Sequence, residues 1–146
     1  MQRVEVVRRF SAPPQAVWDV YTDHAGWSQW AGIGKSWLEV AGDPDRNGAG
    51  AVRGLGTGGV NAFEEVLEFD PPKRMSYRLI RGGGPMKNHL GEVIFEPDGD
   101  GTRVVWRCRF DSRIPGLGGL MRRFVTRFFR SALAGLAQRG FPDPAV

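Results

Sequence analysis

A chain of 146 residues, 41% hydrophobic and 25% charged, suits one soluble domain, 1–146, large enough to bury a core without metals or disulfides. The single Cys108 excludes an internal disulfide and a multi-cysteine zinc site, no apolar run approaches the roughly 20 residues that span a bilayer, and the start MQRVEVVRRF lacks the apolar stretch of a secretory signal, so a cytoplasmic protein is expected. The net charge of +4 is modest but uneven: no acid lies between Asp111 and Asp143, whereas Arg113, Arg122, Arg123, Arg127, Arg130 and Arg139 do.

Gln2 to Phe10 alternates and carries Val4, Val6, Val7 and Phe10, which predicts a first strand. Ser11 offers a helix cap, Pro13 and Pro14 are tolerated in a first turn, and Val17, Trp18, Val20 and Tyr21 follow at helical spacing, so a short helix ends near Asp23. In HAGWSQWAG, Trp27 and Trp30 share one side of a second helical turn that Gly32 and Gly34 stop. From 35 to 111, turn chemistry in GDPDRNGAG, GTGG, DPPK, RGGGP and PDGDG punctuates strands at 35–41, 50–55, 60–69, 73–81, 87–97 and 101–111, an antiparallel meander. The last has the clearest phase, with Thr102, Val104, Trp106, Cys108 and Phe110 facing inward. After Pro115 the period turns helical. A wheel at about 100° per residue places Leu117, Met121, Phe124, Val125, Phe128, Ala132 and Leu136 on one side and Arg123, Arg127 and Arg130 on the other. The apolar side must cover the inner face of the sheet, which gives an α+β class.

Plain alternation through NAFEEVLEFD puts Asn61, Phe63, Glu65, Leu67 and Phe69 on one side, mostly apolar and therefore inward, with Glu65 at its centre. A carboxylate there needs a partner or water. By the same reasoning Met75, Tyr77 and Leu79 point inward from one neighbouring strand, His89, Gly91, Val93 and Phe95 from another, and Arg8 joins Val4, Val6 and Phe10 on the first. GLGTGG matches a dinucleotide-binding G-x-G-x-x-G, but its neighbours read as meander strands, without the helices a parallel sheet requires. His24 and His89 show no ligand spacing, and Cys108, between Trp106 and Phe110, reads as a small core residue. No metal or cofactor is expected.

The segments FSAPPQAVWDVYTD with WSQW, EEVLEFDPPKRMSYRL, DGDGTRVVWRCRF and the final helix together resemble the helix-grip proteins, also called START-like or SRPBCC, including bacterial polyketide cyclase/dehydrase-type members. The resemblance covers nearly the whole chain. It implies a curved antiparallel sheet of about six or seven strands wrapped on a long C-terminal helix, two small helices after the first strand, and a hydrophobic cavity between sheet and helix that holds lipids, sterols, quinones or polyketides. A minority of such proteins cyclise or dehydrate their ligands.

Three functions compete at this point. The first is binding of a hydrophobic small molecule, with Phe63, Leu67, Tyr77, Phe95, Trp106, Phe124 and Phe128 as apolar walls, Trp27 or Trp30 near the entrance, and Arg8, Asn61, Glu65 and His89 as polar groups. The second is a metal-free cyclase, aromatase or dehydratase in which Glu65 or His89 moves a proton and Tyr77 or Arg8 steadies an oxyanion. The third is an interaction protein whose basic helix meets an anionic membrane or an acidic protein weakly; nucleic acid is not expected, and a monomer or homodimer fits either way. The plain structural account of Glu65 is a buried ion pair, such as one with Arg8, or a rim position left in water.

Overall fold

A computed structural model describes residues 1–141; residues 142–146, which include the end of the acid-free segment and of the expected domain, lie outside the described residues. The elements run β1 (Gln2–Phe10), α1 (Pro14–Tyr21), a 3-10 helix (His24–Gln29), β2 (Lys35–Val40), β3 (Val52–Thr57), β4 (Val60–Asp70), β5 (Arg74–Gly82), β6 (Met86–Asp98), β7 (Gly101–Ser112) and α2 (Gly118–Gly140). All seven strands form one antiparallel sheet in the order β1-β7-β6-β5-β4-β3-β2. The meander from β2 to β7 is local, and β1 closes it by pairing Val6 with Trp106.

Pro14 opens α1, where its missing N–H costs nothing, and Thr22 closes it by donating its hydroxyl to the Trp18 carbonyl at 2.8 Å. Val17, Trp18 and Tyr21 are thereby buried. Tyr21 sits at the centre of an aromatic cluster that joins Trp27, Trp30, Phe95 and Trp106 at centroid distances of 5.1 to 6.0 Å. Helix α2 completes the core with Phe129, Ala132, Leu133 and Leu136, and the Phe129 ring stacks on Trp106 at 3.9 Å. No helix among the described residues is long and apolar enough to cross a membrane.

The expected strands, the two short helical pieces and the long final helix are all present, and β5, β6 and β7 turn the expected residues inward. Two faces differ from the alternation argument. Strand β4 is phased the other way: Ala62, Glu64 and Val66 face inward, whereas Phe63, Glu65 and Leu67 lie on the outer side. The ladder shifts register between Phe63 and Glu64 and again between Val66 and Phe69, and the second shift returns Phe69 to the core against Trp18. The first shift places its extra residue, Ile80, on β5 and leaves Ala62, Glu64 and Val66 alternating, whereas the second places it on β4, so one alternation cannot hold from Asn61 to Phe69. The outer face also supplies Phe63 with partners, the Trp37 ring and the Arg81 guanidinium. On α2 the buried stripe is rotated toward Phe129 and Leu133, which leaves Phe124 73% exposed.

Candidate functional site

The inner face of the sheet and the first half of α2 enclose a cavity of about 480 Å³. Its walls are mainly apolar: Trp27, Leu55, Leu79, Trp106, Val125 and Phe128 among them, with Phe124 at the rim. Such a volume and lining fall in the range of small-molecule sites. The polar lining residues are Thr57, Glu64, Tyr77 and His89, with the Cys108 thiol.

Glu64 is anchored from behind by Arg53, a residue the alternation argument passed over. The Arg53 side chain is 0% exposed and donates from Nε to Glu64 Oε1 at 2.9 Å. Its guanidinium carbon stands 4.1 Å from the Trp27 ring and 4.4 Å from the Tyr77 ring, and Nη1 lies 3.5 Å from His24 Nδ1. Burial works against the charge, but the Glu64 carboxylate, followed by Tyr21 and Tyr77, outweighs it and raises the guanidinium pKa. The Arg53 Nη2 atom and the Tyr21 hydroxyl are buried without hydrogen-bond partners.

His24 donates from Nε2 to the Asn47 carbonyl at 2.8 Å, and burial, reinforced by Arg53, drops its pKa to about 3. Its neutral ring therefore offers Nδ1 as an acceptor toward Arg53. The Tyr77 hydroxyl accepts the Trp106 Nε1–H at 2.6 Å, and burial pushes its pKa well up. Space for this ring is made by Gly91 on β6, where any Cβ would fall within the Tyr77 ring. His89 Nδ1 accepts the Leu79 amide at 3.0 Å, and burial lowers its pKa despite the opposing influence of Glu64.

The cavity brings together Trp27, Tyr77, His89, Trp106, Phe124 and Phe128 of the expected site residues. It does not include the others. Glu65 pairs with Arg78 at 2.8 Å on the outer face, so neither an ion pair with Arg8 nor shared chemistry with His89 and Tyr77 is open to it. Leu67 faces a separate, charge-lined groove on that side, between Glu68, Arg74 and Glu92. Phe63 stacks outside as described, and Arg8 is exposed on the edge strand beside Arg130. Phe95 packs deeper, under Trp18 and Tyr21, while Trp30 is buried behind Trp27, and Asn61, whose backbone carbonyl accepts the amide of the lining residue Gly83 at 3.2 Å, is not itself part of the lining.

A sequence signal for Arg53 and Glu64 existed in GTGGV. Gly58 and Gly59 have φ of 57° and 82°, both positive, as a two-residue hairpin turn demands. With Thr57 opposite Val60, the register then makes Arg53 the direct partner of Glu64. Opposite charges on adjacent strands beside the alternating Leu55 mark an inward ion pair.

Comparison with known proteins agrees with this architecture. The family described as polyketide cyclase / dehydrase and lipid transport matches residues 1–140. A START superfamily protein from Mycobacterium smegmatis superposes with a TM-score of 0.81 at 15% identity, over 94% of this chain and 95% of that one. A solution structure of a Thermobifida fusca protein gives 0.79 at 24% identity, over 96% and 93%, and the crystal structure of a Thermus thermophilus protein, TTHA0849, gives 0.74 at 26% identity, over 95% and 97%. No curated protein matches the chain. With a seven-stranded antiparallel sheet packed on a long C-terminal helix, the helix-grip fold it shares with the START superfamily protein, and a family match across residues 1–140, the chain belongs to the polyketide cyclase / dehydrase and lipid transport family.

Proposed function

We propose that this protein binds a hydrophobic small molecule in the cavity between the sheet and α2. The observation that carries this reading is the cavity itself: about 480 Å³ walled by aromatic and aliphatic side chains, with its polar groups gathered around Glu64, Tyr77 and His89. An apolar wall drives entry by surface burial, and a few polar groups set orientation. Trp27 and Trp106 line the space and report on it.

The test uses N-phenyl-1-naphthylamine, a neutral probe that brightens in apolar surroundings. Saturable brightening with the wild type, lost in Val125→Trp while the melting temperature holds, supports the reading. Equal binding by the two proteins, or none by the wild type, refutes it.

A second reading, acid–base chemistry on a ketone-bearing ligand, is favoured by Glu64, Tyr77 and His89 lining one space. Glu64 takes the place expected of Glu65. Turnover of a polyketide-like ketone that survives both Glu64→Gln and His89→Phe removes it.

The rim adds a contact surface for an anionic partner. Arg122, Arg123, Arg127 and Arg130 make no ion pair among the described residues, and Leu120 and Phe124 are exposed beside them. Weak, salt-sensitive sedimentation with anionic but not neutral liposomes is the expected result; no preference between them removes this contact.

A further inference from the structure

Resting on the reading of the cavity as a binding site, we infer that its occupant is an uncharged, hydroxyl-bearing apolar molecule, a phenol or an alcohol, and not a carboxylate-headed lipid. Glu64 is the single charged side chain among the described residues that line the cavity; no lysine or arginine lines it. The counter-ion Arg53 is wholly buried, paired with Glu64 and covered by Trp27 and Tyr77; its Nη2 has no hydrogen-bond partner, but that atom is buried and Arg53 does not line the cavity. A ligand carboxylate brought to this end stands beside Glu64 with no facing cation and leaves the neutral Arg53–Glu64 pair with net negative charge. A protonated amine meets the opposite difficulty, because Glu64 is already neutralised and a second cation leaves the buried cluster with net positive charge.

The hydrogen-bonding groups narrow the choice further. With Nδ1 committed to the Leu79 amide, the neutral His89 ring carries its proton on Nε2, which has no partner among the described residues and serves as a donor. Glu64 Oε1 is taken by Arg53, and Oε2, without such a partner, serves as an acceptor. A hydroxyl group both donates and accepts and so can answer either of them. An unsubstituted hydrocarbon leaves both unanswered, which costs affinity when the cavity closes on it.

Four probes on one frame test this at neutral pH by equilibrium dialysis: 2-naphthol, naphthalene, 2-naphthoate and 2-naphthylmethylamine. The expected result is that 2-naphthol binds about tenfold or more tightly than each of the others, the discrimination characteristic of a buried polar group left unpaired. His89→Phe should lower 2-naphthol to the level of naphthalene and leave naphthalene unchanged. Naphthoate or the amine binding within about threefold of 2-naphthol to the wild type overturns the inference and leaves the cavity reading standing, as does an undiminished naphthol preference in folded His89→Phe. Failure of all four probes to bind removes the cavity reading and this inference together. The wild-type comparison decides the matter even where the variant does not fold.

Discussion

Replacing Glu64 by Gln isolates the buried charge pair at the base of the cavity. The carboxylate and the guanidinium meet at 2.9 Å, with Arg53 at 0% and Glu64 at 14% side-chain exposure. With charge centres about 4 Å apart and an effective dielectric constant of about 20, the attraction is worth about 4 kcal/mol. Glutamine keeps an oxygen for Arg53 Nε, which returns about 1 kcal/mol. The guanidinium cannot turn to water, because Trp27 and Tyr77 cover it. A net loss of about 3 kcal/mol follows, in line with other buried pairs broken on one side. For a chain of this size that lowers the melting temperature by roughly 6 to 12 °C. Glu65→Gln is the internal control: its partner Arg78 is 55% exposed, and a surface pair of that kind contributes about 0 to 1 kcal/mol. Far-UV circular dichroism melts and urea titrations of the two variants measure the difference. If Glu64→Gln and Glu65→Gln lose equal stability, the reasoning fails, because water or ligand space then solvates Arg53 as well as it does Arg78.

Other measurements address the neighbours of that pair. The folded His24 ring takes up a proton only near pH 3, whereas the unfolded ring does so near 6.5; the unfolded state therefore binds more protons below 6.5, and stability falls as the pH drops toward 3, by about 1.4 kcal/mol per pH unit from this residue. His89, also lowered by burial, acts in the same direction. Melts of wild type and His24→Gln between pH 7 and 4.5 should show a shallower pH dependence in the variant, and parallel curves would contradict the assignment. Gly91→Ala should cost about 1 to 3 kcal/mol by pushing the Tyr77 ring off the Trp106 Nε1–H, visible as altered tryptophan emission as well as a lower melting temperature. Unchanged emission would mean the ring has somewhere else to go. Cys108, whose thiol is pushed up to about 12 by burial, should resist Ellman's reagent at pH 8 until urea unfolds the chain; rapid labelling in native buffer would show the thiol is reachable.

The order of elements was legible along the chain, because hydrophobic period and turn residues are local quantities. The two-fold alternation of Thr102 to Phe110 set the inner face of β7, and the helical period after Pro115 set α2. Tyr77, His89 and Trp106 were legible for the same reason: each lies in a run whose charged neighbours mark the outer side. The phase of β4 was not legible within NAFEEVLEFD itself; the hairpin turn before it held the one local signal, the pairing of Arg53 with Glu64. The ladder of β4 to β5 shifts register twice, with the extra residue on β5 at Ile80 and then on β4 before Phe69, and no residue within NAFEEVLEFD announces this. Glu64 and Glu65 are chemically identical neighbours, so their roles depend on what stands across the ladder: Arg53, buried beneath two aromatic rings, for one, and solvent-facing Arg78 for the other. The rotation of α2 that buries Phe129 and leaves Phe124 at the rim is likewise set by the stack on Trp106, a contact between side chains on different elements. Local pattern fixes which elements form and, through the Gly58–Gly59 turn, that Arg53 stands opposite Glu64; that the pair is buried beneath Trp27 and Tyr77 is a non-local fact that packing alone supplies.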